Sequence, residues 1–162
     1  MRLAVAYLLG IVTALAGGCA GAVYPGLQHA RRSQRPIFVG NIGADNPDKN
    51  GDISALIQFF NTSAKTYKYI DISVEAYNRV GDLIRRDSDT SPIVKLRFTG
   101  PLAPRRTPGI TTWPRVWHTN TIACLDIKRI DIIHMDGTTI AIEGPALADV
   151  LSKKMQRMCA HT

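Results

Sequence analysis

The sequence predicts a mainly β protein, an antiparallel β-sandwich of about seven strands followed by a C-terminal α-helix. Three observations carry that prediction. Ile70, Ile72, Val74 and Ala76 alternate with Asp71, Ser73 and Glu75, the period-2 pattern of a half-buried strand. Asp136-Gly137 stands between two β-prone runs, which is a strong short-range hairpin signal. After Gly144-Pro145 the period changes, and Leu147, Val150, Leu151, Lys154, Met155 and Met158 recur at helical spacing.

The folded part is expected to begin at Ile37-Phe38-Val39, a short β-prone run. An Asx- and Gly-rich segment, NIGADNPDKNGD, leads to a strand over Ile53 to Phe60, closed by the polar turn 61–66. The alternating strand Tyr67 to Tyr77 follows. A turn at Asn78 to Asp82 precedes Leu83-Ile84, which extends the ribbon. Ile93, Val94, Leu96 and Phe98 start another strand, expected to close at the breakers Gly100-Pro101 and Pro104. Val116 to His118 reads as a short strand. Thr121 to His134 reads as a long one with Ile122, Cys124, Ile127, Ile130 and Ile132 facing inward and a bulge at Leu125. Thr139 to Ile142 returns as its hairpin partner.

The chain opens MRLAVAYLLGIVTALAGGC: a positive Arg2, an uncharged apolar stretch from Leu3 to Leu15, and small residues before Cys19. This is the layout of a secretory signal. The cysteine after Ala16-Gly17-Gly18 makes it resemble a bacterial lipoprotein signal, although Ala16 stands where such lipoboxes favour Leu. The resemblance implies cleavage after residue 18, lipid attachment at Cys19, and a membrane partner reached through lipid. A soluble secreted protein cut nearby and an uncleaved N-terminal anchor are the alternatives. Three regions follow: a signal over 1–18, a flexible basic tether over 19–36, and the sandwich with its helix over 37–162. Ala20 rather than Asp after the cysteine implies, by the lipoprotein sorting pattern, an outer membrane facing the periplasm in a host with two membranes.

Of three cysteines, lipid consumes Cys19, leaving Cys124 and Cys159 as an even pair in an oxidising compartment, where a disulfide between them is expected. The alternative is a buried Cys124 and a free Cys159. Lys plus Arg number 20 against 13 Asp plus Glu, a net charge of +7. That excess favours anionic surfaces such as phospholipid head groups, and Arg31, Arg32 and Arg35 in the tether are candidate contacts. A solvated basic linker accounts for the same residues. Nucleic acid is not expected as a partner, since no aromatic-interleaved basic motif is present.

The segments FFNTSAKTYKYIDISVEAYNRVGD, FTGPLAP and WPRVWHTNTIACLDIKRIDIIHMDGTTI resemble Ig-like sandwich domains of bacterial surface and periplasmic lipoproteins, akin to the FxLYD-type module. Val74-Glu75-Ala76-Tyr77 occupies the place of the tetrapeptide that names the group. The resemblance spans Ile53 to Ile142 and implies an Ig-like architecture. It brings no catalytic residues.

Other motifs are weak. Asn46 to Ile53 imitates the first part of an EF-hand loop, but Ile57 stands where a bidentate Glu belongs and Lys49 adds positive charge, so a turn before a strand is expected instead. His29, His118, His134 and His161 show no metal-ligand spacing, and no nucleophile motif is present. Asp126, Asp131 and Asp136 beside Lys128 and Arg129 read as a mixed-charge strand face. Trp113, Trp117 and Tyr77 are candidates for core or end-cap packing, with Trp113 the most exposed. No cofactor and no enzymatic activity are expected. The function expected is a membrane-anchored, non-enzymatic envelope module that binds or assembles with a protein partner. The alternative is a structural accessory subunit of a secretion or transport machine.

Overall fold

A computed structural model describes residues 24–86, 90–119, 121–157 and 159. Among them are a helix α1 (Pro25–Arg32) and strands β1 (Ile37–Ala44), β2 (Asp52–Asn61), β3 (Tyr67–Tyr77), β4 (Leu83–Ile84), β5 (Val94–Leu102), β6 (Ile110–His118), β7 (Cys124–His134) and β8 (Thr139–Glu143). Two antiparallel sheets face each other. One runs β1-β2-β6. The other runs β8-β7-β3, with β5 and β4 along the remaining edge of β3. No helix of the described residues is long and apolar enough to cross a membrane.

The alternating residues meet between the sheets. Ile57 and Phe59 from β2, Ile70, Ile72 and Val74 from β3, and Ile130 and Ile132 from β7 share one buried core with Trp117. On the outer face of β3, Asp71 and Ser73 are buried as well, because β3 is flanked on both sides and the side chains of β5 and β7 cover it. The neighbouring charges of β7 are paired, as a mixed-charge face requires: Lys128 with Glu75 and Asp126, and Arg129 with Asp131 and Glu143.

Irregularities of register decide which residues point inward. In β1 a bulge at Gly40 resets the alternation, so that Ile37, Val39 and Ile42 all reach the core. In β7 the expected bulge at Leu125 is absent. Leu125 is buried opposite Ala76, and the extra residue is Lys128, which lets Ile127 and Ile130 face inward although they are three apart. Cys124 therefore lies on the other side of the strand from Leu125, outside the core. β5 does not stop at Gly100-Pro101 but bulges there and continues to a buried Leu102. A Cβ on Gly100 would lie 2.5 Å from the Tyr67 carbonyl oxygen, so only glycine fits. β6 extends six places toward the N-terminus beyond the strand expected to start at Val116, absorbing Pro114 in an edge bulge between Trp113 and Trp117.

Two expectations are corrected. The C-terminal α-helix is replaced by 3-10 turns over Gly144–Asp149 and Met155–Arg157. The apolar spacing is used as expected, since Leu147, Val150 and Met155 are buried. However, Leu151 forms a parallel bridge with Val39, Val39 N donates to Val150 O (2.8 Å), and Ser152 N donates to Val39 O (2.9 Å). Those bonds occupy the exposed edge of β1 beside its bulge, and this segment is extended there instead of helical. The flexible tether is also corrected from Tyr24 onward: α1 is folded onto the outer face of the three-stranded sheet. The signal, Cys19 and the rest of the tether lie outside the described residues.

Candidate functional site

The face built by α1, β1 and the chain after Val150 gathers the candidate basic contacts Arg31 and Arg32 with two further lysines, Lys153 and Lys154. Helix α1 has the sequence PGLQHARR, with Pro25 in its first turn and His29, Arg31 and Arg32 in its last, where cations suit the helix dipole. Eight residues are too few for a stable isolated helix. Packing holds this one. Leu27 and Ala30, three apart and on one face, join Phe38 and Phe60 in a small second core, and Tyr24 packs edge-on against Phe60 at 5.6 Å between ring centroids. The Tyr24 hydroxyl donates to Gln58 Oε1.

A groove of about 640 Å³ runs between this helix and the C-terminal segment, with Phe38 and Tyr24 among its lining residues. Gly26 and Gly40 shape it: a Cβ on Gly26 would lie 2.8 Å from the Phe38 ring, and one on Gly40 would lie 3.1 Å from the Tyr24 ring. Its charged rim is His29, Lys153 and Lys154, with no carboxylate. Neither lysine has an ion pair among the described residues. The described residues begin at Tyr24, which lines this groove.

The three tether arginines fare differently. Arg32 is exposed, and Arg31 is half-buried with its Nε shielded from solvent. Arg35 is not a free cation: its guanidinium meets the Asp149 carboxylate at 2.7 Å. Lys153 and Lys154 take its place on the basic face. Sequence reasoning missed them because a continuous helix would have distributed them around its circumference. The usable signal was the Lys-Lys pair directly after Ser152, whose hydroxyl donates to Gly40 O at 3.0 Å.

Cys124 and Cys159 are brought together, with sulfurs 2.17 Å apart and Cα atoms 5.7 Å apart. The bond joins the first residue of β7 to the end of the described chain. The remaining candidates resolve into structure. Asp48 Oδ1 accepts from Asn50 N (2.7 Å) and Asp52 N (3.0 Å), and Gly51 at φ +83° completes the turn, so the EF-hand-like loop is an Asx turn. Asp48 is held below the usual carboxylate range by those backbone hydrogen bonds. Trp117 is in the core, and Trp113 is half-buried, its indole donating to Arg97 O across to β5 at 2.8 Å. Tyr77 donates to Glu75, and that hydrogen bond pushes its phenol up to about 12.

No family profile matches the chain, and no curated protein matches it. Among solved structures, it is similar to an X-ray structure of a hypothetical protein from Peptoclostridium difficile 630, at 11% identity and a TM-score of 0.45, over 70% of this chain and 89% of that one.

Proposed function

We propose that the chain is an exported lipoprotein, lipid-modified at Cys19, whose Ig-like β-sandwich is a non-enzymatic binding or assembly module of the bacterial cell envelope. The observation that carries this reading is the Cys124–Cys159 pair at bonding distance in a chain that opens with a signal-like stretch. Such pairs persist in oxidising compartments and are rare in reducing ones. The groove beside Tyr24 supports it: the chain leaves the sandwich there among unpaired lysines that suit anionic head groups.

The test is Cys19→Ser. Wild type is expected in the membrane fraction with acyl mass on the N-terminal fragment, and the variant in the soluble envelope fraction. An unmodified Cys19 in membrane-bound wild type would overturn the lipid assignment. In the Cys19→Ser background, replacing Arg32, Lys153 and Lys154 with Ser should weaken binding to anionic vesicles by about 1 kcal/mol per residue at moderate salt. Equal binding before and after the replacement would show the basic face to be a spacer.

A further inference from the structure

Among the described residues, His134 is the side chain with two buried polar atoms lacking a hydrogen-bond partner. It is 4% exposed, and neither ring nitrogen has a hydrogen-bond partner among the described residues. Its place on β7 follows Ile130 and Ile132 on the inward face, where an aliphatic side chain would be buried with no polar atom left unpaired. The Tyr67 ring stands edge-on to it at 5.3 Å, and the Tyr67 hydroxyl is committed to Pro36 O at 2.6 Å.

His134 lines a cleft of about 560 Å³ at this end of the sandwich, within the size range of small-molecule sites. Three segments converge on it and are tied together from inside. Asn61, fully buried, donates through Nδ2 to the carbonyls of Lys65 (2.7 Å), Leu102 (3.2 Å) and Ala103 (3.0 Å). Thr62 N donates to Pro36 O at 3.1 Å, and Asn61 N to Arg106 O at 2.9 Å. Two of the three non-glycine residues with positive φ among the described residues, Gln34 (+53°) and Arg105 (+62°), are on its wall. Backbone strain of that kind persists where the surrounding structure holds it, and it concentrates at binding sites.

The wall has two chemistries. Pro36, Ala64 and Ile140 present apolar surface, and Ile140 is 39% exposed. Lys65 and Arg105 present positive charge and have no ion pair among the described residues. The nearby Asp136 is engaged by its own hairpin, accepting from Thr138 N at 2.9 Å, and lines a separate hollow beyond His134 and Lys65. We propose that this cleft binds a small organic carboxylate, its charge met by Lys65 and Arg105, its apolar body against Pro36, Ala64 and Ile140, and the His134 imidazole supplying the buried polar contact. The nitrogens are shielded from solvent, so binding shifts a rim side chain. Lys65 is exposed and lines both hollows beside His134, which makes it the side chain we assign to that movement. The cleft is independent of how the chain is anchored.

The experiment uses the full chain, ¹⁵N-labelled at histidine and held in detergent, titrated with benzoate and, at matched ionic strength, with inorganic phosphate. Benzoate is expected to give a saturable shift of the His134 ring resonances, with phosphate far weaker. His134→Phe keeps the ring packing against Tyr67 and is expected to raise the benzoate Kd by about tenfold or more, followed by backbone amide shifts. Arg105→Ala, at an exposed position that leaves the core intact, is expected to do the same. Absence of saturation by benzoate, tighter binding of phosphate than of benzoate, or a wild-type Kd in Arg105→Ala would each overturn the proposal. If His134→Phe does not fold, Lys65→Ala together with Arg105→Ala carries the same test.

Discussion

The centre of the five-stranded sheet and the segments that wrap the sandwich are held by different means. Strand β3 is paired along its length with β7 on one side and with β5 and then β4 on the other, and Ile70, Ile72, Val74 and Ala76 are fully buried beneath it. The wrapping segments have no such continuity. Helix α1 rests on Leu27 and Ala30, the segment after β8 on three buried side chains (Leu147, Val150 and Met155) and its bonds to Val39 and Gly40, Arg35 on one ion pair with Asp149, and the chain end on one disulfide. Stability in the sheet is distributed over many contacts, whereas in the wrap it is concentrated at points. The two hollows described above follow the same division: both are lined by the wrap and by the loops at the sheet ends.

Ile72→Ala tests the distributed region. Removing a buried branched side chain at the centre of β3 should cost about 4 kcal/mol, read from denaturant unfolding, with protection lost across both sheets together. A loss confined to β3 would contradict the single shared core.

Breaking the disulfide sharpens the contrast. The two cysteines are 35 residues apart, and in the loop-entropy account opening that loop costs about 3.8 kcal/mol. Paired Cys124→Ser and Cys159→Ser should show that loss, with amide exchange at Val39 and Ser152 accelerating more than exchange in β3. Alkylation of wild type before reduction should label neither cysteine.

The smallest expected effect is electrostatic and depends on pH. The Arg97 guanidinium grips Asp71 with two bonds of 2.7 Å, and hydrogen bonding to Arg97 holds the buried carboxyl below its ordinary value. A carboxyl whose folded-state pKa is depressed adds stability above its unfolded pKa, about 3.9, and loses that contribution as pH falls through the lower folded value. Arg97→Ala should therefore lower Tm at neutral pH by less than the disulfide change does. The difference from wild type should shrink below about pH 4. A difference that is constant with pH would assign the loss to packing of Arg97 over the Tyr69 ring, 5.0 Å from its centroid.

Much of the sandwich was legible because it rests on a local rule. Alternation along β3 places every second residue on one face whatever the rest of the chain does, and the Asp136-Gly137 turn pairs β7 with β8 without distant help. The pairing of Cys124 with Cys159 could be read from parity on the expectation that Cys19 is set aside, since two remaining cysteines admit one intramolecular pairing. What escaped depended on partners far along the chain. The residues after Val150 have helical spacing, but an unpaired β1 edge more than a hundred residues upstream takes their backbone bonds. The bulge in β7 falls at Lys128 because β3 sets the register, which no property of Lys128 announces. Helix α1 is too short to be favoured by its own sequence and exists because Phe38 and Phe60, neighbours across β1 and β2, offer it an apolar seat. The cleft at His134 likewise joins the segments around Gln34, Lys65 and Arg105, which only the closed sandwich brings together. Period and parity are written in neighbouring residues. Edges, register and clefts are properties of packed surfaces, and the tertiary structure alone decided them.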